Sequence, residues 1–205
     1  MFALKAGLHS FPQGVFGSTN ELICPISARN RDTLIIACSE QGTAPNNVSF
    51  AKPDRFVILQ HIGASVPSKA DCEMYEGLSC DDVQVLFDRH LFRHIIICGH
   101  LGCGVIRCWL QPTIDGNIDI GGFRRRFERG TRRLVDNNYA PDTDQVRMSL
   151  MICEHVLCQI ENLITHPFVG KRLQAGETSI HGWVIDDQTA RVFGYCPERF
   201  AFLPI

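Results

Sequence analysis

Three short apolar runs place the strongest constraint on the fold of this chain: TLIIACS (33–39), RFVILQHI (55–62) and HIIICGH (94–100). Each is a nearly continuous series of β-branched and aliphatic residues and lacks the alternation of a half-exposed strand. Such runs are typical of parallel strands that are covered on both faces of a sheet. They predict a mostly parallel central sheet flanked by helices.

Helical and strand patterns alternate along the rest of the chain. The segment 80–92 has apolar residues at helical spacing, and a long helix is predicted over 143–164, ending before the His-Pro pair at 166–167. Two late strands, 178–186 and 190–196, are joined by a turn containing Asp186, Asp187 and Gln188. This alternation predicts an α/β fold, and the length of 205 residues suits a single domain over 1–205.

Composition excludes several classes of protein. A net charge of −2 argues against a general nucleic-acid-binding protein, which normally carries a basic surface. No apolar run is long enough to span a bilayer, and the N-terminus lacks the apolar core of a secretory signal. We therefore expect a cytoplasmic protein without membrane partners. Most of its ten cysteines should then be reduced and buried, although a few could bind a metal.

One group of residues is a candidate functional site. His100 and Cys103 form an H-x-x-C pair at the end of the third apolar run, and Cys38 ends the first. The carboxyl ends of strands in an open α/β sheet are the usual position of a ligand site. One imidazole and two thiolates make a plausible tetrahedral zinc site, with the fourth position left for water or another ligand.

The context of these residues resembles the β-class carbonic anhydrases over nearly the whole chain. The first family motif, C-x-D-x-R, corresponds to CSEQG (38–42), and the second, G-H-x-x-C-G, corresponds to GHLGCG (99–104). RFVILQHIGASVP (55–67) is similar to the second strand of the family and the loop after it. ENLITHPFV (161–169) and SIHGWVID (179–186) are similar to its C-terminal helix and late strand.

The resemblance implies one Zn²⁺ per subunit, held by Cys38, His100 and Cys103. It also implies reversible hydration of CO2 to bicarbonate, in which zinc lowers the pKa of a bound water to about 7. In the family, the Asp of the first motif accepts a hydrogen bond from the zinc-bound hydroxide, and the Arg restrains that Asp.

Family members assemble as homodimers or higher homo-oligomers, so residues 1–28 are expected to form a helical arm that embraces a neighbouring subunit. The segments 7–16 and 131–139 are most similar to cyanobacterial, carboxysome-type members. The C-terminal extension that docks such enzymes is missing after residue 205, which argues against a carboxysomal location.

The first motif departs from the family at both restraining positions. Glu40 stands in place of the Asp, and Gly42 in place of the Arg. A longer carboxylate without its guanidinium partner should bind the metal, which predicts a closed site with Glu40 as the fourth ligand. Two alternatives remain: Gln41 or Gln60 could hold Glu40 away from the metal, or Glu40 could accept the hydroxide proton itself.

Other positions also differ from the family pattern. His61 and His155 stand where the family often has Asn. His61 is either a proton shuttle for the zinc site or a hydrogen-bonded packing residue. Cys98 is predicted to lie in the core, and His181 and Trp183 are predicted to be structural.

Three functions are therefore considered. The leading one is a carbonic anhydrase with low or conditional activity, because the Asp/Arg pair is altered. The second is a catalytically inactive zinc-binding paralogue with a role in assembly or interaction. The third is a hydrolase of another heterocumulene, COS or CS2, with a pocket reshaped by the altered loop 41–50.

Overall fold

The computed structural model describes residues 32–40, 56–74, 80–110 and 123–205. Its centre is a six-stranded sheet in the order β2-β1-β3-β4-β5-β6. The strands are β1 (Thr33–Cys38), β2 (Phe56–His61), β3 (His94–His100), β4 (Ser179–Asp186), β5 (Arg191–Cys196) and β6 (Ala201–Pro204).

The direction of the strands follows from the length of their connections. β1 runs parallel to both β2 and β3, and β3 runs parallel to β4. β5 and β6 are antiparallel to their neighbours, because the short turns before them reverse the chain and leave no room for a crossover. All six residues of β1 are buried. These features confirm the predicted mostly parallel sheet.

Helices flank the sheet, and the longest of them lies directly against its centre. They are α1 (Lys69–Met74), α2 (Cys80–Arg89), α3 (Gly104–Leu110), α4 (Phe123–Phe127), α5 (Arg133–Asn138), α6 (Asp144–Ile164) and α7 (Pro167–Gln174). Helix α6 approaches β3 closely, since a Cβ on Gly99 would lie only 2.7 Å from Cγ2 of Val156. A side chain at that position would push the helix away from the sheet.

The predicted elements agree with the structure to within a few residues at their ends. The long helix begins after Thr143, whose hydroxyl accepts a hydrogen bond from the N–H of Val146, and it ends before His166. Strand β6 was not predicted from the sequence. It has only four residues and includes Pro204, which is tolerated because β6 is the last strand of the sheet and lies at its edge.

Some predictions lie outside the described residues: the N-terminal arm 1–28, the altered loop 41–50, and with it Gln41 and Gly42. Within the described part of the chain, no helix is long and apolar enough to cross a membrane.

Most cysteines with a described side chain are free thiols, in agreement with the sequence-based expectation. The exception is Cys72, which is disulfide-bonded. The free thiols are Cys38, Cys98, Cys103, Cys108, Cys153, Cys158 and Cys196.

Candidate metal centre

Two neighbouring strands deliver the predicted ligands to one end of the sheet. Cys38 is the last residue of β1, and His100 is the last residue of β3. Cys103 follows after a turn in which Gly102 has a φ of +85°, a conformation that favours glycine. Together with Glu40, these residues place one ligand atom each within 4.8 Å of all the others.

The distances between these atoms suit a tetrahedral zinc ion. The two sulfurs of Cys38 and Cys103 are 3.9 Å apart, and Nε2 of His100 lies 3.4 Å from Oε2 of Glu40. Zn–S bonds of about 2.3 Å and Zn–N or Zn–O bonds of about 2.0–2.1 Å give tetrahedral edges of about 3.8 Å and about 3.3 Å. These two separations therefore match the edges of a zinc tetrahedron.

The imidazole of His100 gives independent support for a metal at this point. Its Nε2 is buried and has no hydrogen-bond partner among the described residues, an arrangement that is unfavourable for a polar atom unless something else binds it. Its other nitrogen, Nδ1, lies 2.6 Å from Oδ2 of Asp187. A carboxylate on one nitrogen and a metal on the other is the usual environment of a ligating histidine.

The protonation states of the two thiols also agree with a metal site. A hydrogen bond from the Cys103 thiol lowers the pKa of Cys38 to about 4, although burial opposes this shift. The same interaction with Cys38, together with burial, raises the pKa of Cys103. The metal-free pair therefore shares one proton, and a zinc ion would displace it, since the thiolate is the form that binds metals.

Glu40 is held in the cluster by the backbone. The N–H of Gly104 donates to Oε2 of Glu40 over 2.8 Å. A Cβ on Gly104 would lie 2.6 Å from Oε1 of the same carboxylate, so a larger residue at position 104 would force the carboxylate to shift. Glu40 thus lies where the fourth ligand was predicted, and its binding to zinc stays a prediction.

The structure also describes Gln60 and His61, two other residues that were predicted to lie near the metal. The amide of Gln60 donates to the backbone carbonyl of Cys38 over 3.4 Å. Gln60 therefore contacts one of the predicted metal ligands. His61 ends β2 opposite Cys38, and its carbonyl accepts the N–H of Ser39. A proton-shuttle role for the His61 side chain stays a prediction.

Two residues assigned to the core of the protein are indeed buried, Cys98 and Trp183. His181 donates to or accepts from the hydroxyl of Ser179 over 2.9 Å, at the opposite end of β4 from the turn that carries Asp187. This position agrees with a structural role for His181.

Asp187 is the residue of the site that the sequence did not reveal. It follows β4, and β4 is the neighbour of β3 in the sheet, so Asp187 reaches His100 across adjacent strand ends. The predicted turn already contained this residue. What the sequence lacked was the strand order, which places this turn beside the end of β3.

Replacing Asp187 with Asn should weaken zinc binding, because the imidazole loses the carboxylate that orients it. Loss of such a partner typically lowers metal affinity about 10–100-fold, and competition with a chromophoric chelator measures it. Asp186→Asn is the matched control, because the Asp186 carboxylate binds Gln188 and Thr189 within the turn. Equal effects of the two substitutions would contradict a specific role for Asp187.

Comparisons with known proteins agree with this geometry. The family model described as "Carbonic anhydrase" matches residues 33–192. A carbonic anhydrase of Synechocystis sp. is 26% identical, with 95% of this chain and 71% of the relative covered. One of Synechococcus elongatus is 27% identical, with 94% and 70% covered.

Solved structures show the same fold. The β-carbonic anhydrase CcaA superimposes with a TM-score of 0.72 at 22% identity, covering 86% of this chain and 85% of CcaA. A structure reported among two tetrameric β-carbonic anhydrases of Sordaria macrospora gives a TM-score of 0.67 at 18% identity, with 81% of each chain covered. With its matching domain, its parallel sheet and its Cys-His-Cys cluster, this chain belongs to the β-carbonic anhydrase family.

Proposed function

We propose that this chain catalyses the zinc-dependent, reversible hydration of CO2 to bicarbonate, and that Glu40 restricts this activity. The observation that carries the proposal is the four-donor cluster at the ends of β1 and β3, in which the buried Nε2 of His100 has no hydrogen-bond partner within the part of the chain that the structure describes. Within a family of carbonic anhydrases, this cluster is the candidate centre for water activation.

Zinc would supply the Lewis acidity that makes water nucleophilic near neutral pH. Cys38, His100 and Cys103 would hold the ion, and all three side chains are nearly inaccessible to solvent. Their burial keeps competing water away from the protein ligands. Asp187 keeps the proton of His100 on Nδ1, so that Nε2 presents its lone pair to the metal.

Glu40 would decide whether the fourth position is open. Its Oε2 lies 3.4 Å from Nε2 of His100, which is the separation expected of two ligands on one zinc ion. The N–H of Gly104 binds the same oxygen, and Gly42 offers no guanidinium to draw the carboxylate away. We therefore propose a resting state with Glu40 on the metal and a low or conditional rate of hydration.

One observation favours a second function, a zinc-bearing paralogue that does not catalyse hydration. Four protein donors complete a tetrahedron without water, and closed zinc sites are typically structural. In that case zinc would stabilise the ends of β1 and β3, and the chain would act in assembly.

The decisive experiment restores the family pair with the double variant Glu40→Asp, Gly42→Arg. The shorter carboxylate and the added guanidinium should free the fourth position, so we expect CO2 hydration at least about tenfold faster than in the zinc-loaded wild type. Stopped-flow assays with a pH indicator, at neutral and alkaline pH, measure the rate.

Glu40→Asp alone is the control, because it shortens the side chain without supplying the cation. If the wild type and the double variant, both fully loaded with zinc, are indistinguishable from buffer, hydration of CO2 is the wrong function. The hypothesis of a zinc-bearing paralogue that does not catalyse hydration would then be favoured.

The proposal extends to assembly and location. We propose a homodimer or a larger homo-oligomer, supported by the tetrameric β-carbonic anhydrases among the structural neighbours. Seven of the eight cysteines with a described side chain are free thiols, and only Cys72 is disulfide-bonded; this majority supports a reducing compartment, the cytoplasm.

A further inference from the structure

We propose that a cavity beside helix α6 binds a small organic anion, whose phosphate or carboxylate group contacts two arginines and whose hydroxyl groups contact a polar wall. The cavity has a volume of about 300 Å³, which equals about ten molecules of liquid water and is enough for a small metabolite. None of its described lining residues belongs to the metal cluster. The site is therefore independent of the proposed function.

The anionic group would bind Arg126 and Arg129, which both line the cavity. They belong to the basic run 124–133, which the metal centre does not use. Nη2 of Arg126 is buried, and a charged hydrogen bond is stronger there than at an exposed surface. The planar guanidinium group matches the geometry of carboxylate and phosphate oxygens.

The backbone departs from a regular α-helix at this cavity. Residues Glu128–Arg132 form a π-helical turn between α4 and α5. Three of its five residues line the cavity: Arg129, Gly130 and Thr131. A Cβ on Gly130 would meet open space, so this turn leaves the cavity accessible. Single π-helical turns are rare and occur frequently at functional sites, which is a second indication of a ligand.

The hydroxyl of Ser65 is a third indication. Ser65 lines the cavity and is only 4% exposed. Its backbone N–H donates to the carbonyl of Ile62, whereas its hydroxyl makes no hydrogen bond within the described part of the chain. Buried hydroxyl groups normally have a partner. A polar ligand in the cavity would supply one.

The wall that α6 contributes is polar and held in place. Oε1 of Gln159 accepts the N–H of Val66 over 2.8 Å and the amide of Asn162 over 3.3 Å. His155 lies beside them, and burial together with the charge of Arg126 lowers the pKa of His155 to about 4. The ring is therefore neutral at physiological pH, and the positive charge of the cavity comes from its arginines. A fixed wall loses little freedom when a ligand binds.

Two carboxylates, Asp71 and Glu161, also line the cavity. Oδ1 of Asp71 lies 3.8 Å from Nη2 of Arg129, which is 56% exposed, so this ion pair contributes little stability. Oδ2 of Asp71 accepts the hydroxyl of Ser68 over 2.7 Å. An anion can therefore take Arg129 while Asp71 keeps a partner. The carboxylates also favour a ligand with hydroxyl donors over a simple inorganic anion.

The binding experiment uses two anionic probes that share a hydroxylated carbon chain. Glycerol 3-phosphate carries a phosphate, D-glycerate carries a carboxylate, and glycerol is the uncharged comparison. Isothermal titration calorimetry on the zinc-loaded protein measures binding. At least one anion should bind and glycerol should not. The anion that binds more tightly shows whether the site prefers a phosphate or a carboxylate.

Three variants locate the binding site. Arg126→Gln should weaken binding about 10–100-fold, because it removes charged hydrogen bonds at a buried position. Arg133→Gln makes the same change of charge at an exposed residue of α5 that does not line the cavity, and it should keep the wild-type affinity. Ser65→Ala should weaken binding about 2–10-fold. It should not reduce thermal stability, because the lost hydroxyl has no partner in the described chain.

Several results would overturn the inference: no binding of either anion to the wild type at millimolar concentration, equal binding of glycerol, wild-type affinity in Arg126→Gln, or an equal loss in Arg133→Gln. An anion bound to zinc would give the third result, since Arg126 is not part of the metal cluster. If Arg126→Gln does not fold, Ser65→Ala decides, and wild-type affinity in that variant would also overturn the inference. A lack of CO2 hydration would instead refute the proposed function alone.

Discussion

The Cys103→Ser variant is expected to lose nearly all of its zinc affinity. The thiolate is the metal-binding form of cysteine, and a serine hydroxyl does not ionise to a comparable extent. Structural zinc sites bind with roughly 10–16 kcal/mol, so one of four ligands contributes about 2.5–4 kcal/mol, or about 100- to 1,000-fold in affinity. Because Cys103 is only 2% exposed, solvent has little access to replace it. Metal analysis after dialysis against a weak chelator measures the loss.

Cys153→Ser is the matched control. Cys153 is a fully buried free thiol in α6, so this substitution places the same hydroxyl in the core, away from the metal. It should lower the stability of the protein and leave the zinc content at that of the wild type. If Cys103→Ser also retained zinc with wild-type affinity, Cys103 would not be a ligand.

The Gly63→Ala variant is expected to destabilise the metal-free protein by about 2–5 kcal/mol. An alanine with a positive φ costs about 1–2 kcal/mol, and its Cβ would lie 2.8 Å from Cη2 of Trp109. Overpacking against a rigid ring adds about 1–3 kcal/mol. Urea unfolding monitored by tryptophan fluorescence measures the difference, because the indole of Trp109 lies at the affected contact.

Alanine substitutions at two other glycines distinguish the two causes of this destabilisation, the positive φ and the close contact with Trp109. Gly176 has a φ of +70° with no atom near its Cβ position, so Gly176→Ala should show only the backbone component. Gly130 lies in a helical turn with open space around it, and Gly130→Ala should stabilise by about 0.5–1 kcal/mol. If Gly63→Ala were no more destabilising than Gly176→Ala, Trp109 would be able to move aside.

The sequence predicts the fold well where the signal is local. The apolar runs of β1 and β3 have no polar alternation, and burial on both faces follows directly. The same prediction is wrong for β2, which lies at the edge of the sheet and is only partly buried. The long helix α6 has a capping Thr143 and a terminating Pro167, both of which can be recognised in the sequence. Strand β6 carries too few residues for such a pattern, and its strand state depends on pairing with β5.

The metal site is predictable only in part, for a geometrical reason. Cys38 and His100 end strands that the α/β pattern already places in one sheet, so their proximity could be inferred. Asp187 reaches His100 only because β4 lies beside β3.

The wide spacing of the ligands along the chain also determines the order in which they become available during biosynthesis. Cys38 leaves the ribosome 65 residues before Cys103, and Asp187 emerges after both. A nascent chain therefore exposes separate thiols long before it can offer a complete chelating set. Metal acquisition should follow the synthesis of the turn that carries Asp187, and proteolytic fragments that separate β1 from β3 should release the ion.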